Sequence, residues 1–194
     1  MKKVLYIFIF IAATSTAIAQ ESFSSWTYSM GFASGDLATY IGKTSFRGAT
    51  YDYTKMVQPK IGVGLEIGWN TFYEAKPYGT YTYGNTDLSG KLYTYSNNVP
   101  LLFTLSYYMK PENTFTPYAS LGIGTMWSER RTSVGTWEIY KDAWPFVLRP
   151  ELGVVYNTGG LGFTVSSKYY YGFKTGDLPE ESYFTINVGL VFTR

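Results

Sequence analysis

The sequence predicts an all-β fold: an eight-stranded antiparallel up-and-down transmembrane β-barrel, preceded by a cleaved signal peptide. Three observations predict it. Apolar residues alternate with polar or small residues in eight separate segments, long and short connections alternate between these segments, and aromatic residues make up 20% of the chain. A period of two is the spacing of a strand with one apolar face and one polar face. Tilted strands of about 9–11 residues are long enough to cross a bilayer.

The first nineteen residues have the pattern of a secretory signal peptide. Lys2 and Lys3 form a positive start, an apolar run follows at residues 4–13, and Ala17 and Ala19 occupy the small-residue positions of a cleavage site. We therefore expect residues 1–19 to be the signal peptide and residues 20–194 to be the outer-membrane β-barrel domain.

Composition argues against several classes of function. The chain has 16 Lys and Arg against 14 Asp and Glu, and Lys2 and Lys3 belong to the predicted signal, which leaves 14 against 14. A neutral mature chain offers no electrostatic footprint for nucleic acid, so no nucleic-acid partner is expected. The absence of cysteine excludes disulfides as the source of stability.

The chain also lacks the residues on which most hydrolytic sites depend. It has no histidine to act as a base, no cysteine nucleophile, and neither of the usual zinc-binding side chains. Serine, lysine and tyrosine remain, but no spacing singles out an activated set. We expect no enzymatic activity, no catalytic residues, no cofactor and no metal site.

The alternating segments define eight predicted strands. The last one, FTINVGLVF, shows the pattern clearly, with apolar residues at every second position from Phe184 to Phe192. The second is the weakest of the eight, and no segment shows sustained helical periodicity. The predicted strands are residues 22–33, 44–54, 60–73, 98–109, 116–127, 144–156, 161–173 and 184–192.

The connections between these strands provide an independent test. Short connections rich in turn residues are predicted at 55–59, 110–114 and 157–160, and longer ones at 34–43, 74–97, 128–143 and 174–183. Outer-membrane barrels have short turns on the periplasmic side and longer loops outside. A soluble sandwich has no reason to alternate its connections in this way.

Charged residues within predicted strands three to eight fall on the polar register, and Asp52 is assigned to the same face on the weaker second strand. A charge at the bilayer midplane costs roughly 2–4 kcal/mol for Arg or Lys, so these side chains should face the lumen. An eight-stranded barrel is just wide enough inside for its side chains, and we expect opposite charges to pair and fill it. A proton or solute path is the alternative. The predicted lumen network is Asp52, Glu66, Arg149, Glu151 and Lys168.

Aromatic residues mark the outer ends of several predicted strands. Trp69, Trp127 and Trp144 lie at the outer ends of predicted strands three, five and six, and Tyr73 lies near the same level. Amphipathic rings collect where a membrane meets water, which predicts an aromatic girdle. The alternative is that they are core aromatics of a soluble sandwich.

The connection at residues 74–97 is rich in tyrosine and glycine. Exposed loops of this composition are adaptable binding surfaces. Alternatively, strands three and four extend past the membrane as a hairpin, and the two interpretations do not exclude each other. The predicted exposed loop tyrosines are Tyr78, Tyr81, Tyr83, Tyr93 and Tyr95.

Several stretches together suggest a family. They are IGVGLEIGWNTFYE at 61–74, SNNVPLLFTLSYYM at 96–109, TPYASLGIGTMW at 116–127, RPELGVVY at 149–156 and SYFTINVGLVF at 182–192. Over nearly all of its mature length the chain resembles the eight-stranded outer-membrane β-barrel proteins of Bacteroidota, the broad small-barrel type that includes OmpA, OmpX and OmpW. The motifs specify a barrel and not an activity. The chain departs from the usual aromatic carboxyl terminus, because Thr193 and Arg194 follow Phe192.

The resemblance implies a location in the cell outer membrane, with outer-membrane lipid and the barrel assembly machinery as partners. The expected function is an integral outer-membrane barrel with a structural or surface-interaction role, a side-chain-filled lumen and a surface ligand whose identity is unknown. The alternative is a narrow conduit for small hydrophobic molecules, as proposed for OmpW-like barrels.

Overall fold

The computed structural model describes residues 21–83, 86–111 and 113–193. The predicted signal peptide lies outside these residues, as do the side chains of residues 82–86. One short helix, α1, spans Gly35–Tyr40. The strands are β1 Ser22–Ser34, β2 Gly48–Gln58, β3 Ile61–Tyr83, β4 Thr86–Tyr108, β5 Phe115–Val134, β6 Trp137–Ala143, β7 Phe146–Asn157, β8 Leu161–Gly172 and β9 Glu181–Thr193.

Eight of these strands close into an antiparallel barrel, in the order β1-β2-β3-β4-β5-β7-β8-β9. Closure is complete because β1 pairs with β2 on one side and with β9 on the other. The short strand β6 lies outside this ring and pairs with the far part of β5. The predicted eight-stranded up-and-down barrel is confirmed. Within the described residues, no helix is long and apolar enough to cross a membrane.

The strand pairing also fixes the stagger of the barrel. Starting from Glu66, one direction around the ladder leads to Val191 on β9. The other direction leads to Glu181 on the same strand. These two positions are ten residues apart, so the strands are staggered and must tilt, typically by about 35–45° in closed barrels. Tilt brings residues that are distant along the ladder to the same depth.

The outer and inner faces of the barrel differ as the alternation predicts. The outer face is a belt of exposed apolar side chains such as Leu65, Phe103 and Phe163, while Glu66 and Thr104 beside them are buried inside. Small outward patches are ordinary on soluble proteins, but a continuous exposed belt is not. The belt matches the surface that a bilayer would cover, since charges are kept to the opposite face.

Two glycines on the inner face allow neighbouring strands to approach closely. A Cβ atom at Gly189 would lie 1.9 Å from the carbonyl oxygen of Trp26, and one at Gly64 would lie 2.1 Å from that of Tyr53. A side chain at either position would push the adjacent strand away. These glycines therefore permit the strong local coiling that a narrow barrel needs.

The structure corrects several sequence-based predictions. Strand two begins at Gly48 rather than at residue 44, because Ser45 forms an isolated bridge to Gly31 instead. The connection at 34–43 contains α1, which is too short to show periodicity. The connections at 74–97 and 128–143 are mostly strand, as continuations of β3, β4 and β5 and as β6.

We name two ends of the barrel from these connections. The turn end carries the short turns β2–β3, β4–β5 and β7–β8, and the long-loop end carries α1 and the hairpins. The raised sheet is the part of the hairpins beyond the apolar belt, formed by residues 70–83, 86–97, 128–134 and 137–143.

Leu65→Arg tests which face meets lipid. Leu65 is 52% exposed in the middle of the belt, so arginine there should lower the free energy of unfolding by roughly 2–4 kcal/mol. Urea unfolding in lipid vesicles measures this change in free energy. Leu65→Met is the matched control and should have little effect on it. Equal stability of the arginine variant and the wild type would place Leu65 on the lumen side.

Candidate functional site

Five ionisable side chains meet in the middle of the lumen. Arg149 Nη2 lies 2.7 Å from Glu66 Oε2, and the same guanidinium pairs with Glu151. Lys168 Nζ lies 2.9 Å from Glu66 Oε2, 3.0 Å from Asp52 Oδ2 and 4.0 Å from Glu151 Oε1. We call these five residues the ion network, and they are the five that the sequence assigned to the lumen.

The strand register explains how the ion network forms. Asp52 and Glu66 are direct partners in the β2–β3 ladder, and Glu151 and Lys168 are partners in the β7–β8 ladder. Arg149 shares the inner face of β7 with Glu151 because they are two residues apart. The two ladders lie on opposite sides of the barrel. The pairs Arg149–Glu66 and Lys168–Glu66 therefore cross the lumen.

Two tyrosine hydroxyls donate the remaining hydrogen bonds to the buried carboxylates. Tyr170 Oη donates to Glu66 Oε1 at 2.8 Å, and Tyr118 Oη donates to Glu151 Oε1 at 2.8 Å. Charges out of water need both ion pairs and hydrogen bonds to offset their lost solvation. Glu66 is fully buried, so these contacts replace water at both of its oxygens.

The three carboxylates of the ion network also form a geometric candidate for a metal site. Ligand oxygens of Asp52, Glu66 and Glu151 all lie within 4.8 Å of one another. The ammonium group of Lys168, however, is within 4.0 Å of all three. A metal ion would have to displace this internal cation and would also face Arg149. The arrangement therefore suits a salt-bridge network and does not fit a metal centre.

An apolar layer closes the lumen on the long-loop side of the ion network. Its rings pack closely, with Tyr170 and Tyr183 stacked at 4.7 Å and Phe72 edge-on to Tyr183 at 5.3 Å. Leu37 of α1 and Ile41 just after it are fully buried in this layer. We call the layer the apolar plug, and it consists of Leu37, Ile41, Phe72, Leu102, Met126, Val147, Tyr170 and Tyr183.

A second buried ion pair lies above the apolar plug. Arg130 pairs with Glu181 and donates from Nη2 to the backbone oxygen of Glu180 at 2.9 Å. Tyr40, at the end of α1, lies under the Arg130 guanidinium at 5.0 Å and shares a 2.7 Å hydrogen bond with Thr132. Because β1 and β5 are on opposite sides of the ring, this contact holds the α1 segment across the barrel opening.

Sequence reasoning missed the apolar plug and this upper ion pair. Arg130 and Glu181 fell within predicted connections, where no register was assigned. Leu37 and Ile41 are four residues apart, the spacing of neighbours on a helix face, and this is the only signal that could have found them. A single helical turn is too short for that signal to stand out.

The raised sheet carries an aromatic and basic patch on its outer face. Tyr73 lies 4.8 Å from Tyr95 and 6.5 Å from Tyr93, ring centre to ring centre. Arg47 lies over the Tyr73 ring and Arg131 over the Tyr95 ring, each at 5.8 Å. We call these five residues the tyrosine patch.

Ion pairs anchor one cation of the tyrosine patch. Arg131 pairs with Glu129 at 3.0 Å and with Glu138 at 3.3 Å. Hydrogen bonding to Glu129 raises the pKa of the Arg131 guanidinium above its ordinary value, so this side chain stays cationic. Its position over Tyr95 is therefore held by Glu129 on its own strand and by Glu138 on the neighbouring strand β6.

The predicted loop tyrosines lie on strands rather than on a loop. Tyr78 is 72% exposed, as expected. Tyr81, Tyr93 and Tyr95 are instead half-buried, because hairpin pairing brings rings and backbone together across the strands. The side chain of Tyr83 lies outside the described part of the chain.

The residues predicted for the girdle are spread along the outer face near the start of the raised sheet. Trp69 and Trp144 are 58% and 56% exposed, while Trp127 is half-buried. Tyr73 belongs to the tyrosine patch, where Arg47 covers part of its ring. The two exposed indoles are thus available to a membrane interface at the long-loop end.

Comparison with solved structures identifies the architecture. The chain is similar to a major outer membrane protein from Thermus thermophilus, with TM-score 0.58, 13% identity, and 90% of this chain and 99% of that chain covered. It is also similar to OprG from Pseudomonas aeruginosa (TM-score 0.57, 16% identity, 90% and 96% covered) and to Neisserial surface protein A (TM-score 0.53, 10% identity, 92% and 99% covered). The fold is that of the small outer-membrane β-barrels.

The outer membrane is where this fold places the chain, in agreement with the exposed apolar belt and the inward charges. No protein-family model matches the sequence, and no curated protein matches it. The shared feature is therefore architecture, and the role of this barrel has to be argued from its own residues.

Arg149→Met tests the energetic role of the ion network. Removing the Arg149 cation leaves Lys168 as the only cation beside the buried carboxylates of Glu66 and Glu151. We therefore expect the free energy of unfolding to fall by about 3–5 kcal/mol. Arg149→Met combined with Glu151→Gln should be less destabilised than the single variant, because the excess negative charge is relieved. Urea unfolding in lipid vesicles measures both.

Arg131→Met is the matched control, since its side chain is 42% exposed and pairs at the surface. An exposed pair contributes about 0–1 kcal/mol. If the double variant Arg149→Met/Glu151→Gln were less stable than Arg149→Met, charge balance would not govern the stability of the ion network.

Proposed function

We propose that this protein is a non-enzymatic outer-membrane barrel that acts through its surface, with the raised sheet as its binding element and the lumen closed. The observation that carries the proposal is the contrast between the closed lumen and the extended raised sheet. The ion network and the apolar plug fill the lumen in two successive layers. Above them, β3, β4 and β5 continue past the apolar belt and form an ordered four-stranded sheet with β6.

The length of the raised sheet supports a role beyond the membrane. β3 continues for fourteen residues beyond Trp69, to Tyr83, which at about 3.3 Å per residue amounts to roughly 45 Å of strand. β4 and β5 accompany it in register, and β6 adds a fourth strand. A barrel that served only to span the bilayer would not require such a sheet. By the usual orientation of these barrels, the long-loop end faces the cell exterior.

The tyrosine patch supplies the binding chemistry. Tyrosine offers a large, rigid and amphipathic contact surface that loses little conformational entropy on binding. Arg47 holds a cationic group over the Tyr73 ring, while the charge of Arg131 over the Tyr95 ring is already balanced by Glu129 and Glu138. A partner would therefore meet aromatic surface together with the positive charge of Arg47. This combination suits a macromolecular or glycan surface with acidic groups.

The closed lumen argues against general transport. A solute moving along the barrel axis would have to separate Arg149 and Lys168 from Glu66 and then part the stacked Tyr170 and Tyr183 rings. Breaking a buried pair costs about 3–5 kcal/mol, and several are crossed here.

Outer-membrane lipid and the barrel assembly machinery remain the partners that we propose for membrane insertion.

One observation favours the alternative, a conduit that opens sideways. The β7–β8 ladder lacks pairs between Leu148↔Tyr171 and Glu151↔Lys168, where Pro150 has no N–H to donate. A groove of about 730 Å³ on the outer face begins at this point and is lined by Ala119, Pro150 and Ser167 among others. A small hydrophobic molecule could leave through such a gap, although Arg149 and Glu151 stand directly behind it.

Conductance distinguishes the two functions. We expect negligible single-channel current from the purified barrel in planar bilayers, because the ion network and the apolar plug block the axis. Vesicles carrying the barrel should likewise take up a hydrophobic fluorescent solute no faster than empty vesicles. Steady wide conductance would reject a closed lumen, and barrel-dependent uptake would favour the conduit.

Tyr93→Ser combined with Tyr95→Ser tests the binding surface. Cells that display the wild-type barrel should adhere to members of a panel of immobilised acidic glycans and matrix proteins, and the double variant should lose most of that adhesion. Tyr156→Ser, at the turn end, is the matched control and should adhere as the wild type does. Unchanged adhesion of the double variant would place binding elsewhere.

A further inference from the structure

The half of the lumen nearest the turn end contains a cavity that the closed-barrel function does not use. Its volume is about 580 Å³, within the range of about 300–1,000 Å³ typical of small-molecule sites. The ion network forms its inner wall through Asp52, Arg149 and Glu151, while Gln58 and Pro59 of the β2–β3 turn line its mouth. We call it the turn cavity.

The charges that line the turn cavity are unbalanced. Among the described residues of the lining, Glu21, Asp52 and Glu151 contribute three carboxylates and Arg149 one cation. When Glu66 and Lys168 of the adjoining ion network are included, with Lys168 paired to Asp52, four carboxylates face two cations. Arg149 is fully buried and already paired with Glu66 and Glu151. Asp52 is the most accessible member of the ion network, with 19% of its side chain exposed. The cavity therefore presents a net negative wall to whatever enters it.

An aromatic wall stands beside these carboxylates. The rings of Phe23 and Tyr108 lie 5.9 Å apart, and those of Tyr108 and Tyr118 lie 5.4 Å apart, so three rings from β1, β4 and β5 form a continuous array. Met56 of β2 also lines the cavity. The faces of aromatic rings are electron-rich and attract cations, most strongly where water is excluded.

An unsatisfied hydroxyl provides a further, independent sign of a ligand. Ser166 is 4% exposed and lines the turn cavity from the inner face of β8, two residues before Lys168. Its Oγ atom has no hydrogen-bond partner among the described residues. Leaving a buried polar group unpaired is unfavourable, and a guest that donates a hydrogen bond to this oxygen would remove that cost.

We propose that the turn cavity, which opens to the periplasm through the turn end, binds a small organic cation with an apolar body. The ammonium head would lie against the carboxylates of Asp52 and Glu151, within reach of Ser166. The apolar body would pack along Phe23, Tyr108 and Tyr118. An organic anion would meet three carboxylates, and an uncharged hydrophobe would leave the acidic wall without a counter-charge.

A bare metal ion fits this cavity less well than an organic cation. Lys168 already occupies the position between the carboxylates that a metal would need. The faces of the aromatic wall would give such an ion no ligands, whereas they attract an organic ammonium group. The proposal concerns a different surface from the raised sheet, so the two can fail separately.

Titration of the barrel in lipid nanodiscs with benzylammonium, whose N–H groups can donate to Ser166 Oγ, tests the proposal. Calorimetry should show saturable one-site binding, absent from empty nanodiscs and absent with benzenesulfonate or benzyl alcohol as the probe. Asp52→Asn and Tyr108→Leu should each weaken the binding at least tenfold. Glu138→Gln, a carboxylate of the raised sheet, is the matched control and should bind as the wild type does.

Glu21→Gln is a second test variant that should leave the fold intact, because Glu21 is exposed at the cavity mouth and does not belong to the ion network. It should weaken binding several-fold while heat-modifiable gel migration shows a folded barrel. The proposal is overturned if the wild type shows no saturable binding, if benzenesulfonate binds equally well, or if folded Glu21→Gln and Tyr108→Leu variants bind as the wild type does.

Discussion

The structure depends on the ion pairs that cross the lumen. Arg149 and Lys168 both contact Glu66, and through them β7 and β8 are tied to β3 on the far side of the ring. None of these groups could be buried alone, since an unpaired charge out of water is far costlier than a paired one. The lipid-facing belt follows from the same constraint: with the charges at mid-depth drawn inward, the outer register is left to apolar side chains.

The ion network also divides the lumen into regions with different chemistry. On the long-loop side, the apolar plug and the Arg130–Glu181 pair close the barrel beneath α1. On the turn side, the turn cavity keeps an acidic and aromatic lining. One set of buried charges thus separates a closed half at the long-loop end from an accessible half at the turn end, so the proposed surface binding and the proposed small-molecule binding would use separate parts of the barrel.

Sequence alone predicted the barrel and the members of the ion network, because alternation fixes the face of each residue. It could not predict that Arg149 would meet Glu66, since a contact across the lumen depends on the stagger of the closed ring. For the raised sheet the limit is different: the sequence predicts connections there and leaves a strand hairpin at residues 74–97 as an open alternative. Charged side chains occur on both faces of this sheet, with Arg130 buried inside and Arg131 partly exposed outside, so the alternation of apolar and polar residues that marks a membrane strand fades. A six-residue helix gives even less signal.

The attachment of the raised sheet has a mechanical consequence. Its strands β3, β4 and β5 run without interruption into the barrel wall, whereas β6 is separated from β7 by Trp144 and Pro145. In the ring, β4 stands opposite β9, where the closing seam with β1 lies. A pull on a partner held by the sheet would load three continuous strands along their length. The seam, on which closure of the barrel depends, would carry little of that force.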